Sequence, residues 1–148
     1  MNELFINRSG YVDKTAGKAL SRVFRDAETK KQESLLDEMK ARPRVYVVSK
    51  YTEDAQLDSF HFCKYCRYVI SQNRMPVSGL LMYLALTEQD RDYKTLAGQF
   101  GLSLLDVCDE VWVFNQNREL TDSMRLEIKE ARLQGKRVKY HDIRELGL

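Results

Sequence analysis

From Asp13 to Arg42 apolar side chains return every three or four positions: Ala16, Ala19, Leu20, Val23, Phe24 and Ala27, then Leu35, Leu36 and Met39 after a polar gap. That is the period of one helical face. Asp13 is a suitable N-cap, and Pro43 turns the chain out of a helix. The pattern predicts one long helix, or two broken near Thr29–Gln32. Residues 1–42 then form an N-terminal helical arm, lying across the rest of the chain or against a second subunit.

Beyond Pro43 the period shortens. Arg44-Val-Tyr-Val-Val-Ser49 is a β-branched and aromatic run that reads as a buried strand. Leu57 to Asn73 has helical spacing, with Leu57, Phe60, His61, Lys64, Tyr65, Tyr68 and Val69 on one face. Met75-Pro-Val-Ser-Gly79 is a second, short strand with a glycine exit. Leu80 to Leu86 is apolar throughout and fits helix or strand. Leu96 to Val107 reads as a helix with Phe100, Leu104 and Leu105 inward. Asp109-Glu-Val-Trp-Val-Phe114 is the clearest strand. Ser123 to Gly135 is an amphipathic helix, with Asp122 or Ser123 as cap and Gly135 at its end. Arg137-Val-Lys-Tyr140 is the last strand.

Strand and helix in alternation imply an α/β domain over residues 43–148. Its sheet is mainly parallel, of four to five strands, with helices on both faces. Such sheets take ligands beyond the carboxyl ends of their strands, where the strand order switches. The segments placed there are Ser49-Lys50-Tyr51, Ser78-Gly79 and Asn115 to Ser123. The pocket is therefore expected between the carboxyl ends of the first and third strands. The start of the Ser123 helix adds free N–H groups and a positive dipole end, suited to phosphate or another anion.

Charge narrows the partners. Lys+Arg 24 against Asp+Glu 22 gives a net charge of +2, too balanced to indicate a nucleic-acid partner. No apolar run reaches the ~18–20 residues that span a bilayer. The N-terminus has no basic segment followed by an apolar one, so no signal peptide is expected. Three cysteines, an odd number, read as free thiols in a reducing cytoplasm.

The motifs exclude more than they assign. No G-x-G-x-x-G or G-x-x-x-x-G-K-[ST] loop is present, so dinucleotide or triphosphate binding by those loops is unsupported. Cys63-Lys-Tyr-Cys66 has metal-like spacing but falls within a helical pattern, with only His61 and His141 as further soft ligands. Two semi-buried thiols account for it better than zinc, and no metal or cofactor is expected. Ser123 and Glu127 stand four apart on one helix face. A carboxylate there, one turn below an anion-holding helix start, can attack an anomeric carbon or stabilise an oxocarbenium-like transition state. By spacing alone, a surface carboxylate in a charged helix is the commoner case. Trp112 and Tyr46 lie along central strands and read as core. Tyr51 lies beyond a strand end and is the better candidate to stack on a base.

Arg44-Val-Tyr-Val-Val-Ser-Lys-Tyr51, Tyr65-Cys-Arg-Tyr68, Met75-Pro-Val-Ser78, Cys108-Asp-Glu-Val-Trp-Val-Phe114, Ser123-Met-Arg-Leu-Glu-Ile128 and Gly135-Lys-Arg-Val138 together resemble a group of small, largely uncharacterised bacterial and phage proteins. These are similar to the nucleoside 2-deoxyribosyltransferases, a flavodoxin-like or Rossmann-like superfamily. The resemblance covers about residues 44–141. It implies that Glu127 is the nucleophile taking the (deoxy)ribosyl group, that Asp122 or Ser123 binds the sugar, and that Tyr46 lies near the pocket. Ser49, Tyr51, Ser78, Gly79, Asn115 and Met124 complete the expected ligand-binding set. Two departures stand out. Ser49-Lys50 replaces the transferases' Gly-Pro, and Ser78-Gly79-Leu80-Leu81 replaces a Pro-His-Leu-Leu-type run.

Two functions follow as expectations: an enzyme acting at the N-glycosidic bond of a nucleoside or nucleotide, or a non-catalytic module holding a nucleotide-derived ligand, plausibly phage- or prophage-encoded. Both imply a small-molecule partner, and the arm's apolar stripe implies a homo-oligomer.

Overall fold

The computed structural model describes residues 14–52, 54–86 and 92–148. Asp13, expected to cap the first helix, falls outside them. The chain divides between Ala41 and Arg42 into two compact units.

The described residues of the first unit form one unbroken helix, α1 (Lys14–Ala41). The break considered at Thr29–Gln32 does not occur. The stretch is rich in good helix formers, and the Thr29 hydroxyl, the weakest of them, donates back to the Arg25 carbonyl at 2.9 Å.

The second unit is a four-stranded, wholly parallel sheet in the order β2-β1-β3-β4. The strands are β1 (Arg44–Val48), β2 (Met75–Val77), β3 (Glu110–Asn115) and β4 (Arg137–Asp142). Between them run α2 (Ala55–Ser71), α3 (Leu80–Ala85), α4 (Tyr93–Leu104) with a 3₁₀ turn at Leu105–Val107, and α5 (Asp122–Leu133). The ambiguous Leu80 run is thus helical, and the sheet has the lower of the two strand counts expected.

Side chains along β1 and β3 alternate between two cores, as the two-residue strand period requires. Tyr46, Val48, Val111 and Val113 pack on one face with Met124, Ile128 and Ala131 of α5 and with Leu105. Val45, Val47, Trp112 and Phe114 pack on the other with Tyr65 and Val69 of α2. The sheet is therefore covered on both sides, which is why its strands read as continuous apolar runs.

Tyr65, Val69 and Leu105 turn inward as hydrophobicity predicts, but two helices depart from the expected face at single positions. In α2, Leu57 and Phe60 are exposed while Asp58 is buried. The Asp58 carboxylate is fully occupied, accepting from the Thr52 N–H at 2.8 Å and the Thr52 hydroxyl at 2.7 Å. In α4, Phe100 is exposed while Ala97 and Gly101 turn inward. Small residues turn inward here because the helix backbone closely approaches the Gly79 backbone and the Tyr46 hydroxyl.

β1 connects to β2 on one side and β3 to β4 on the other, so the switch in strand order falls between β1 and β3. The β1–α2 and β3–α5 loops leave from that edge.

Candidate functional site

Tyr46 sits in the middle of β1, 1% exposed, with its ring on the α5 side of the sheet. Above its hydroxyl, Gly79 and Gly101 cross backbone to backbone. A Cβ on Gly101 would lie 3.1 Å from that hydroxyl, and one on Gly79 would lie 3.6 Å from it. The absence of side chains at these two positions leaves the phenol a passage into open space.

That space is a cavity of about 380 Å³. Tyr46 and Glu127 lie in its lining, Ser123 and Leu126 face it from α5, and Ala97, Gly98 and Leu102 face it from α4. Tyr51 and Tyr83 also line it, their rings stacked at 5.7 Å and 11°. The Ser78 side chain hydrogen-bonds the Tyr51 phenol and its oxygen accepts from the Leu80 N–H at 3.1 Å, tying Tyr51 to the start of α3.

Glu127 is the unusual member. It is 6% exposed, and neither carboxylate oxygen has a hydrogen-bond partner. A buried charge in that position is costly unless it is neutralised. Burial accordingly pushes its pKa up to about 7, against an ordinary 4.5. The Tyr46 hydroxyl offsets part of this without closing a bond of ordinary length and angle. Reciprocally, burial first and the Glu127 charge second push the Tyr46 phenol well above its usual range, and the same two causes raise Tyr51. All three groups are therefore weak acids that share a proton reluctantly with water.

The helix that carries Glu127 is positioned by Thr121. Thr121, not Asp122 or Ser123, is its N-cap, and its hydroxyl accepts from the Met124 N–H at 3.2 Å. This shift by one residue places Ser123 in the first turn, one turn above Glu127 on the same face. Gly135, with φ +72°, follows the helix end as its left-handed position requires.

The ten residues expected in the site do not converge on one place. Tyr46, Tyr51, Gly79, Ser123 and Glu127 line the cavity, and Ser78 supports Tyr51 from beside it. Asn115 and Met124 face a different cavity, since Met124 is turned about 100° around α5 from Ser123. Asp122 points to solvent and pairs with Arg125 at 3.2 Å. Ser49 is buried at the end of β1 and lines neither cavity. Thr52, Tyr83, Ala97, Gly98, Gly101, Leu102 and Leu126 escaped the sequence reading. Gly98 and Gly101, two glycines inside one helical pattern, were the available signal.

Among the described residues no group of three or more His, Cys, Asp and Glu side chains could hold a metal ion. Cys63 and Cys66 lie on α2, and Cys108 is buried in the core. Burial pushes the Cys66 thiol up to about 12 and the Cys108 thiol up to about 11, so neither is an activated nucleophile. No helix among the described residues is long and apolar enough to cross a membrane.

The fold is that of the 2-deoxyribosyltransferases. A solved 2-deoxyribosyltransferase from the psychrotolerant bacterium Bacillus psychrosaccharolyticus superposes with a TM-score of 0.54, at 16% identity, over 68% of this chain and 72% of that one. No curated protein matches the sequence. Residues 43–141 match the model of a domain of unknown function, DUF7768, and the chain belongs to that family.

Proposed function

We propose that the Glu127 cavity binds a nucleoside or nucleotide and that Glu127 attacks its anomeric carbon. The observation that carries this is a carboxylate 6% exposed, with both oxygens unpaired, lining an open cavity below a helix start. Unpaired buried ionisable groups in clefts are concentrated at functional sites. In the reaction a Glu127 oxygen bonds C1′ as the C1′–N bond breaks, and the bonding pair leaves with the base, which takes up a proton. The glycosyl ester is then resolved by water or by a second base. The Tyr46 phenol eases ionisation of the carboxylate, Ser123 meets the sugar, and the Tyr51–Tyr83 stack meets the base. The likeness in fold to a 2-deoxyribosyltransferase agrees with this reading.

Incubation with a panel of ribo- and deoxyribonucleosides and their monophosphates, assayed for free base by chromatography, tests it. Base release that vanishes in Glu127→Gln supports the enzyme. Binding without release in either form supports the second reading, a non-catalytic module. One observation favours that alternative. The cavity roof at Gly79 and Gly101 is bare backbone, and no histidine or lysine among the described residues lines the cavity to hand a proton to a leaving base.

The α/β domain over residues 43–148 carries this activity in the reading proposed, and the arm over residues 1–42 serves for association into a homo-oligomer. Sedimentation equilibrium showing only 17.4 kDa species would remove the second part.

A further inference from the structure

A second cavity, about 580 Å³, opens over the carboxyl ends of β1 and β3 at the switch in strand order. Thr52 stands in the wall of both cavities, held by Asp58. The two spaces differ in chemistry. The first holds an unpaired carboxylate and, among the described residues, no cationic side chain. The second is lined by Lys50, Arg118 and Arg125.

Three cations stand against the two acids of the lining, Asp58 and Glu119, and leave it a small positive excess. Both oxygens of Asp58 are occupied by Thr52, and Glu119 is exposed to water. Arg125 is shared with Asp122, whereas Lys50 and Arg118 make no ion pair among the described residues.

At the inner end lies Asn115, the last residue of β3 and 8% exposed. Its backbone carbonyl accepts from the Ile143 N–H at 2.9 Å, and among the described residues its side-chain amide has no hydrogen-bond partner. A primary amide offers two donors and an acceptor, and with the cavity open beside them a ligand entering there can meet them. Leu57, Tyr65, Phe114 and Ile143 supply apolar walls to the same cavity.

We propose that this cavity binds a phosphate monoester of the nucleoside monophosphate class, its phosphate held by Lys50 and Arg118 and the amide edge of its ring paired with Asn115. A dianion is matched by two or three cations at the mouth, and a guanidinium offers the forked donors that phosphate accepts. A ring with neighbouring donor and acceptor satisfies the Asn115 amide, which no simple anion would reach. The site is separate from the Glu127 cavity and does not depend on turnover there.

The test uses the full chain, labelled with nitrogen-15, and follows the Asn115 side-chain amide signals, assigned by their loss in Asn115→Asp. The probes are AMP, GMP, CMP and UMP, the four parent nucleosides, and inorganic phosphate. At least one monophosphate should shift the Asn115 signals in the submillimolar range, with its nucleoside and inorganic phosphate at least about tenfold weaker. Lys50→Ala with Arg118→Ala, both solvent-reaching positions, should weaken that binding by about tenfold or more while leaving the other signals in place. Glu127→Gln should leave it unchanged, so failure of base release and failure of this site are read separately. The proposal is overturned if no monophosphate shifts Asn115 at millimolar concentration. It is equally overturned if nucleoside or inorganic phosphate binds as tightly as the monophosphate, or if the double variant binds as the parent does.

Discussion

Gly79 and Gly101 meet backbone to backbone, so closely that a Cβ on Gly79 would stand 2.6 Å from the Cα of Gly101. This crossing forms the roof over the Tyr46 hydroxyl, and it explains why α4 turns Ala97 and Gly101 inward rather than Phe100. The apolar stripe of a helix predicts its buried face only when the partner surface stands at an ordinary distance. Here the distance excludes any large side chain.

Gly79→Ala must push α3 and α4 apart, because the obstructing atom is backbone and cannot rotate away. The expected cost is about 1–3 kcal/mol, as for other overpacked sites. Thermal denaturation checks it, and a variant melting with the parent would show that the crossing is loosely held.

Glu127 should make stability depend on pH. Its folded-state pKa lies near 7 and the ordinary value is 4.5, so the folded form holds the proton more tightly. The full stability contribution is present below pH about 4.5 and is lost as pH rises through about 7. The loss is on the order of 3 kcal/mol for a shift of this size. Glu127→Gln should flatten the dependence in that window, measured by urea denaturation at several pH values. An unchanged profile would mean that the carboxylate is better solvated than its burial implies.

Catalysis should run with the opposite sign. A carboxylate nucleophile must be ionised, so kcat/KM should rise with pH and level off above about 7. Glu127→Gln should lower turnover by at least ~10³-fold with ligand binding retained. Turnover surviving in that variant would assign the chemistry to another group.

Asp58→Ala removes both acceptors of the Thr52 N–H and hydroxyl. Stability should fall by about 1–3 kcal/mol. Because Thr52 borders both cavities, ligand affinity should fall in each. Calorimetric titration of this variant distinguishes it from a local surface change, which would leave both affinities intact.

A fragment of residues 43–148 should fold by itself, since both cores of the sheet are built from residues within it. A cooperative melt of the fragment checks this, and a broad, non-cooperative one would place part of the core's support in the arm.

The order of elements was legible because period and punctuation are local. Pro43 ends α1, the β-branched run at Val45–Val48 makes a strand that both faces bury, and Gly135 closes α5. Strand alternating with helix then left a parallel sheet as the arrangement that could bury those strands. Ser123 and Glu127 could be placed on one helix face for the same reason. Burial is a different kind of property. Whether Glu127 faces water or a cavity depends on what α4 and the Gly79–Gly101 crossing bring over it, and those segments lie more than twenty residues away in the chain. The same holds for Asp58, which reads as a surface acid until the β1–α2 loop folds back to meet its carboxylate, and for Met124, which adjoins Ser123 in sequence yet opens with Asn115 onto another space. Sequence by itself determined the strands, most of the helices and the parallel arrangement of the sheet. Only tertiary packing decided which polar groups lost their water there, because desolvation is set by neighbours that no local pattern records.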